Sequence, residues 1–277
     1  MKSTAVDMSF VSSKASGFAR NLSVWLFYAK LSVMSWLEYR ASIAISVFAT
    51  AIFAMATPIT FYVIYSNGVS VGGWNFYELC LLAGFFSVSL GFIDLFFWNL
   101  MRLPRHVRKG TLDYFLTKPL SVLFHVSVRN VDETGIGSLL SGVLLLALGF
   151  SGIPTPTAAN ALAGLALFAF ATLSLYSLFL ILVSLSFWFV EVEVLLWDVR
   201  EVTRFGQYPI SIFPGILGTF LSFIVPVGLA SFYPASAFLG RNLGVFALLV
   251  PVYSIALFLF ARWFFYKGLA NYSSAGG

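Results

Sequence analysis

Long, uninterrupted apolar blocks constrain this chain more than any other feature of its sequence. Six of them approach or exceed the length that crosses about 30 Å of hydrocarbon as a helix rising about 1.5 Å per residue. Only 10% of the residues are charged, against about 25% in ordinary soluble domains, so the polar surface is too small to coat a water-soluble particle. We therefore predict an all-α integral membrane protein with six transmembrane helices. The predicted spans are Ala41–Tyr65, Leu79–Leu100, Ile136–Phe150 extended toward Asp132 or Ile153, Ala158–Val190, Ile216–Phe232 and Phe246–Phe264.

A seventh apolar stretch, Asn21–Tyr39, has Lys30 at its middle. A lysine at the centre of a spanning helix costs about 2.5–3.5 kcal/mol, whereas a helix in the membrane interface leaves the amine in water. We therefore predict an interfacial helix carrying Trp25 and Trp36. It begins a single membrane domain over residues 21–267, between a tail at 1–20 that lacks the apolar run of a cleaved signal and a tail at 268–277.

The basic residues indicate the orientation, because Lys and Arg accumulate in short cytoplasmic loops. With both termini inside, the six-span arrangement leaves only Arg241 of the 16 basic residues outside. Treating Asn21–Tyr39 as a further span would place the N-terminal basic residues on the opposite face from the others. The sequence therefore predicts a multi-pass protein of the cell membrane with cytoplasmic termini and a long, charged inner loop after the second span.

That inner loop contains the segment GTLDYFLTKP, residues 110–119. The basic residues before it are explained equally well by attraction to anionic lipid heads. A Gly start, a Pro stop and apolar residues between charges exceed what lipid anchoring needs. They favour a short helix that docks a protein partner.

In order and spacing, these elements resemble a type-2 ABC exporter permease. The likeness rests on GTLDYFLTKP after the second span, FGQYPISIFPG at 205–215 and IVPVGLASFYPASAFLG at 224–240, which are similar to a six-helix branch of that superfamily. The resemblance implies that Asn21–Tyr39 is an elbow helix. It also implies a cytoplasmic coupling helix that sits in a cleft of the ATPase and is formed by Gly110, Leu112, Asp113, Leu116 and Pro119.

The resemblance further implies a permease subunit, with export favoured over import, that pairs with a second permease, identical or related. Because the chain contains no G-x-x-x-x-G-K-[ST] motif, ATP and its Mg²⁺ are expected on a separate nucleotide-binding ATPase subunit. The chain itself is expected to be neither an enzyme nor a binder of nucleic acid, and the lipid bilayer is its other expected partner.

Three residues are candidates for a translocation path. Asp94 is the one acidic residue well inside a predicted span, and Asn99 lies near the same end. Ionisable groups in a membrane usually face a bundle interior or an aqueous cavity; the alternative is that Asp94 reaches back to Arg102 or Arg105. Pro226 can break the fifth span, and a broken helix is tolerated where protein or water satisfies its backbone.

Other polar residues are interpreted more simply. His106 and His125 have no Cys or acidic cluster at ligand spacing, so we predict no metal site. Cys80 is the single cysteine, which excludes an internal disulfide. The charged residues after the fourth span indicate a solvated helix extension; they are Glu191, Glu193, Asp198, Arg200, Glu201 and Arg204.

Two other functions compete with transport driven by ATP. An intramembrane hydrolase would need a His base or a second Asp inside the bilayer, and neither is predicted there. An ion-coupled secondary carrier usually has several intramembrane polar residues and an internal repeat of its spans, and neither is evident. The sequence does not indicate the cargo.

Overall fold

The computed structural model describes residues 17–273, and within this range the chain is built from helices without a β-strand. The predicted tails therefore lie largely outside the described residues. The helices are α1 (Gly17–Glu38), α2 (Arg40–Ser66), α3 (Phe76–Phe97), α4 (Leu103–Arg108), α5 (Asp113–Leu116), α6 (Val122–Val128), α7 (Thr134–Ser151), α8 (Ala158–Ser184), α9 (Val192–Thr203), α10 (Gly215–Thr219), α11 (Val227–Phe238) and α12 (Phe246–Ala270).

Within residues 17–273, five helical stretches are long and apolar enough to cross a membrane, which confirms the predicted all-α membrane fold. They are Arg40–Ser66, Phe76–Arg108, Thr134–Ser151, Ala158–Phe187 and Phe246–Ala270. These correspond to the first four predicted spans and the sixth. The third reaches 18 residues by starting at Thr134, and the fourth ends three residues before the predicted Val190.

Small residues bring α3 and α7 close together. A Cβ atom added at Gly142 would lie 2.8 Å from the backbone nitrogen of Val88, and one at Gly149 would lie 2.7 Å from that of Leu81. Such close approach lets backbones pack where lipid offers no hydrophobic driving force between helices. The short α7 is therefore held along the length of α3.

The two ends of the bundle differ in charge. At one, which we call the charged end, α3 continues through a 3-10 turn at Trp98–Arg102 into α4, which carries Arg105 and Arg108. The opposite end holds the connection after α2 and the start of α3, where Asn75 and Glu78 form a capping box. α1 packs at the charged end, where the Ser32 hydroxyl donates to Asn130 Oδ1 at 3.3 Å.

The polar segment of residues 192–212 connects the two ends of the bundle. It starts at the charged end, where Glu193 on α9 binds Arg105 and Arg108. Further along, a Cβ at Gly206 would lie 2.5 Å from the ring of Phe86, near the middle of α3. At the opposite end, a Cβ at Gly72 would lie 2.7 Å from Ser211 Oγ. The charges predicted to lie on a solvated helix extension therefore divide into two groups. Glu201 and Arg204 are exposed, whereas Glu193 and Arg200 bind partners on the packed bundle.

The fifth predicted span, Ile216–Phe232, is broken, as expected if Pro226 interrupts it. The stretches Gly215–Ile224 and Val227–Phe238 meet at an angle of 93°, and the break lies at Pro226, which has no backbone N–H to continue a helix. The Tyr253 hydroxyl donates to the carbonyl of Phe223 beside the break, and such a partner lets a broken helix persist inside a membrane protein.

Both ends of this bent pair lie at the opposite end of the bundle. It follows directly on Ser211, which lies beside Gly72, and it finishes at Gly240, where an added Cβ would lie 2.7 Å from the Asn160 side chain at the start of α8. The bent pair therefore enters the bundle and returns to the same end, and the 192–212 segment makes the connection between the ends.

Candidate functional site

The 110–119 segment protrudes at the charged end but is anchored from within. Gly110 has φ +68°, a conformation that favours glycine, and it turns the chain from α4 toward α5. Leu112 and Phe115 are fully buried and belong to the cluster that also contains Ile93 and Phe179. The segment is therefore packed into the core of the bundle through these two side chains.

The outer face of the same segment is apolar and accessible. Leu116 is 44% exposed, and Lys118 and Pro119 beside it are exposed as well. Asp113 is half-buried at the first position of α5. The five residues predicted for coupling thus divide into a turn at Gly110, an anchor at Leu112, the start of α5 at Asp113 and an outward surface of Leu116 and Pro119.

Two arginines of α4, which precedes the 110–119 segment, bind a glutamate of α9. Arg105 Nε donates to Glu193 Oε2 and Arg108 Nη2 donates to Glu193 Oε1, each at 3.2 Å. One carboxylate therefore joins the first inner loop to the 192–212 segment. The sequence did not predict this contact, because Glu193 is 88 positions from Arg105 and 85 positions from Arg108.

A second ion pair joins α9 to α3 deeper in the bundle. Arg200 Nη2 donates to Asp94 Oδ2 at 2.6 Å, and the Arg200 guanidinium lies 5.1 Å from the centre of the Trp98 ring. The alternative in which Asp94 reaches Arg102 or Arg105 is wrong, because those arginines bind Asp132 and Glu193.

The other two residues predicted for a translocation path also lie inside the packed chain. Asn99 Nδ2 donates to the carbonyl of Val126 at 2.5 Å and so ties the end of α3 to α6. Pro226 is buried at the break of the bent pair. Asp94 is equally buried. The side chains of Asp94 and Asn99 thus join separate elements, and a role for the three residues in transport stays a prediction.

A polar groove opens on the side of the bundle between α2 and the 192–212 segment. We call it the threonine groove; its volume is about 650 Å³. Thr57 Oγ1 donates to Gln207 Oε1 at 3.2 Å across it. Its polar lining consists of Thr50, Thr57, Thr60, Arg204, Gln207 and Tyr208.

Arg204, which lines the threonine groove, forms an exposed ion pair with Glu201 alongside the long helices. Arg204 Nε lies 2.8 Å from Glu201 Oε2, and the two side chains are 68% and 62% exposed. Gly206, two residues on, packs on Phe86 near the middle of α3. Charged groups at this depth usually face a bundle interior or a water-filled cavity rather than lipid. The groove therefore needs an aqueous or protein neighbour.

The sequence held a partial signal for this groove. Thr50, Thr57 and Thr60 are seven and three residues apart, which places them on one face of a helix with 3.6 residues per turn. Nothing in the sequence indicated that Gln207 and Arg204 face the same side. Their position follows from the path of the 192–212 segment.

The two histidines lie near the 110–119 segment. His106 Nδ1 forms a hydrogen bond with Thr111 Oγ1 at 2.9 Å. His125 is buried on α6, its Nε2 lies 2.8 Å from the Tyr28 hydroxyl of α1, and its ring lies 4.9 Å from that of Phe115. Among residues 17–273, no group of three His, Cys, Asp or Glu side chains could hold a metal ion.

His125 makes the charged end sensitive to acid. Burial, followed by the nearby charges of Arg129 and Lys118, lowers the pKa of His125 below its ordinary value of 6.5. The unfolded chain therefore takes up this proton at a higher pH than the folded chain does. Stability is fully present above pH 6.5 and is lost as the pH falls from 6.5 through the lowered pKa.

We expect the purified protein in detergent to unfold at a lower temperature at pH 5 than at pH 7.5, and part of this difference to disappear in His125→Gln. The variant removes the titrating group but keeps an amide that can bond the Tyr28 hydroxyl. His106→Gln measures how much of the remaining difference comes from the other histidine. An unchanged pH response in His125→Gln would contradict the assignment.

The chain matches a known protein family. The family described as ABC-2 family transporter protein matches residues 51–276, a range that contains α3 to α12 and most of α2. A comparison with curated proteins gave no match.

Proposed function

Because this chain belongs to the ABC-2 transporter family, as its motifs indicated, we propose that it is the permease subunit of an ATP-driven exporter. It would pair with a second permease chain and with separate ATPase subunits that bind ATP and Mg²⁺. Export is proposed from the likeness of the 110–119 segment and the later Pro-rich runs to exporter permeases. The charged end would face the cytoplasm of a cell membrane, since it carries most of the Lys and Arg residues.

The observation that carries this proposal is the threonine groove. A single chain leaves the Arg204–Glu201 pair open on one side at membrane depth, where contact with lipid is costly. A second permease facing the groove would close it into a shared, water-filled path, as a two-fold arrangement brings the same surface of two chains together. The aromatic rings of Phe53 and Phe61 beside the polar lining suit an amphipathic cargo.

The ion pairs on Glu193 would connect this path to the ATPase. An ATPase bound to Leu116 would move the 110–119 segment. Because Arg105 and Arg108 bind Glu193, the 192–212 segment would move with it. Because Arg204 and Gln207 lie on that segment, its movement would change the width of the path. The fifth crossing of the membrane would be made by the 192–212 segment, with the bent pair returning to the outer side.

Cysteine labelling tests the path. Cys80 is buried, so a Cys80→Ala background allows single cysteines to be placed on α2. We expect Thr57→Cys to react with a water-soluble methanethiosulfonate in the assembled transporter, and its rate to change when ATP is added. A thiol in the threonine groove would meet water and ionise, whereas a thiol facing lipid would not.

Ile59→Cys is the matched control, because Ile59 is exposed on α2 but points about 200° away from Thr57 around the helix. It should stay at least about tenfold less reactive than Thr57→Cys, because lipid keeps its thiol protonated. Equal reactivity at the two positions, or reaction at Ile59→Cys alone, would place the aqueous path elsewhere.

A further inference from the structure

A second groove lies at the charged end, between α1 and the 110–119 segment. Its volume is about 730 Å³, within the range of about 300–1,000 Å³ that holds small-molecule ligands. One wall is the apolar face of α1, with Val24, Phe27 and Leu31. The other wall includes Lys118 and Pro119. We call it the α1 groove.

The charges of the α1 groove are all of one sign. Of the residues that the structure describes, Arg20, Lys118 and Arg129 line it, and no Asp or Glu does. None of the three forms an ion pair with a residue of the described range 17–273. The cations of Lys118 and Arg129 each lie 4.8 Å from the centre of the Tyr114 ring, so an aromatic side chain holds both at the groove.

A buried polar atom lies beside the groove. His125 lines the groove, and its Nδ1 has no hydrogen-bond partner among the described residues, while Nε2 is used by the Tyr28 hydroxyl. Buried polar atoms are normally bonded, and one that is not points to a missing water, ion or ligand. Three cations that form no ion pair among the described residues therefore line a groove with an apolar wall, and a buried imidazole nitrogen without a hydrogen-bond partner lies beside it.

We propose that the α1 groove binds an anionic phospholipid from the leaflet at the charged end. The phosphate meets Arg20, Lys118 and Arg129, and the first part of an acyl chain lies along Val24, Phe27 and Leu31. A free phosphate would use the cations but leave the apolar wall uncovered. A zwitterionic lipid would cover the wall but bring no net negative charge to three cations.

The bound lipid would bridge two elements that matter for coupling. α1 forms one wall, and the 110–119 segment, through Lys118 and Pro119, forms the other. If the proposed function holds, lipid in the α1 groove stabilises the 110–119 segment, to which the ATPase binds, and raises ATPase activity in the assembled transporter. The binding itself needs only the permease chain, so it can be tested whether or not the proposed function is correct.

The test measures the binding of fluorescent phosphatidylglycerol to the full purified chain in phosphatidylcholine-containing micelles. We expect phosphatidylglycerol to bind and fluorescent phosphatidylcholine to bind far more weakly. Arg20→Gln, Lys118→Gln and Arg129→Gln should each weaken phosphatidylglycerol binding about fivefold. Lys30→Gln, Arg40→Gln and Lys109→Gln remove equal charge from exposed positions outside the groove and should change binding less than twofold.

The apolar wall is tested separately. Leu31→Gln should weaken lipid binding, whereas Leu37→Gln, on the same helix but outside the groove, should not. Equal losses in the two sets of charge variants would show general attraction to the basic surface and overturn the proposal. Displacement of the labelled lipid by millimolar inorganic phosphate, with no effect of Leu31→Gln, would make the ligand a free anion and also overturn it.

Discussion

Replacing Leu116 by Asp is expected to separate the permease from the ATPase proposed as its partner, while the permease itself still folds. Leu116 is 44% exposed on the outer face of the 110–119 segment, so the substitution removes no core contact. A side chain that anchors an interface in a partner's cleft contributes about 2 kcal/mol or more, about thirtyfold in affinity, and a carboxylate there adds an uncompensated charge. Co-purification of the ATPase with the tagged permease should fall at least about tenfold.

Leu112 is the contrasting position in the same segment. Because Leu112 is fully buried, Leu112→Ala should destabilise the permease by about 2–5 kcal/mol and reduce its yield in the membrane. Leu195 on α9 is 42% exposed at the same end of the bundle, and Leu195→Asp should leave co-purification within about twofold, as expected for an exposed side chain outside the docking surface. If as much ATPase co-purifies with Leu116→Asp as with the wild-type chain, the ATPase binds another surface.

Elements whose signal is local could be predicted from the sequence. The apolar blocks predict α2, α3, α7, α8 and α12, because a helix in lipid must be apolar along its whole length. Lys30 predicts that α1 is not a span, and the structure packs α1 at the charged end through Ser32 and Tyr28. Gly110 predicts the turn that its φ of +68° makes.

The path of the 192–212 segment could not be predicted, because its polarity has a long-range cause. Glu193 and Arg200 look solvated in sequence, yet each binds a partner more than 80 residues away. Without those partners, the charges indicate a helix outside the membrane. A prediction from sequence then assigns the fifth span to the apolar bent pair. Composition cannot distinguish a helix that crosses the membrane from one that enters and leaves on the same side.

For the same reason, the partners of the polar residues in the long helices could not be predicted from the sequence. Sequence reasoning placed Asp94 on a transport path and Arg200 in a solvated helix, and the structure joins them across 106 positions. It also places the threonines of α2 opposite Gln207. The chemistry of each site therefore comes from two segments, and neither segment carries the signal alone.

Breaking the Asp94–Arg200 pair is expected to cost more stability than any surface change. The side chains of Asp94 and Arg200 are only 5% and 19% exposed, so Asp94→Leu leaves a guanidinium that is shielded from water and cannot lose its charge. We expect a loss of about 3–5 kcal/mol, measured by unfolding of the purified protein in a detergent mixture. Glu201→Ala, which breaks the exposed pair with Arg204, should cost less than about 1 kcal/mol.

The two halves of the buried pair should behave differently. Arg200→Leu leaves a carboxylate that can take up a proton and become neutral, so it should cost less than Asp94→Leu. The double variant Asp94→Leu/Arg200→Leu leaves no buried charge and should be more stable than Asp94→Leu, because apolar residues often replace a buried ion pair without loss. Additive losses would mean that the two side chains stabilise α3 and α9 independently, and the pair would then not be the link between these helices.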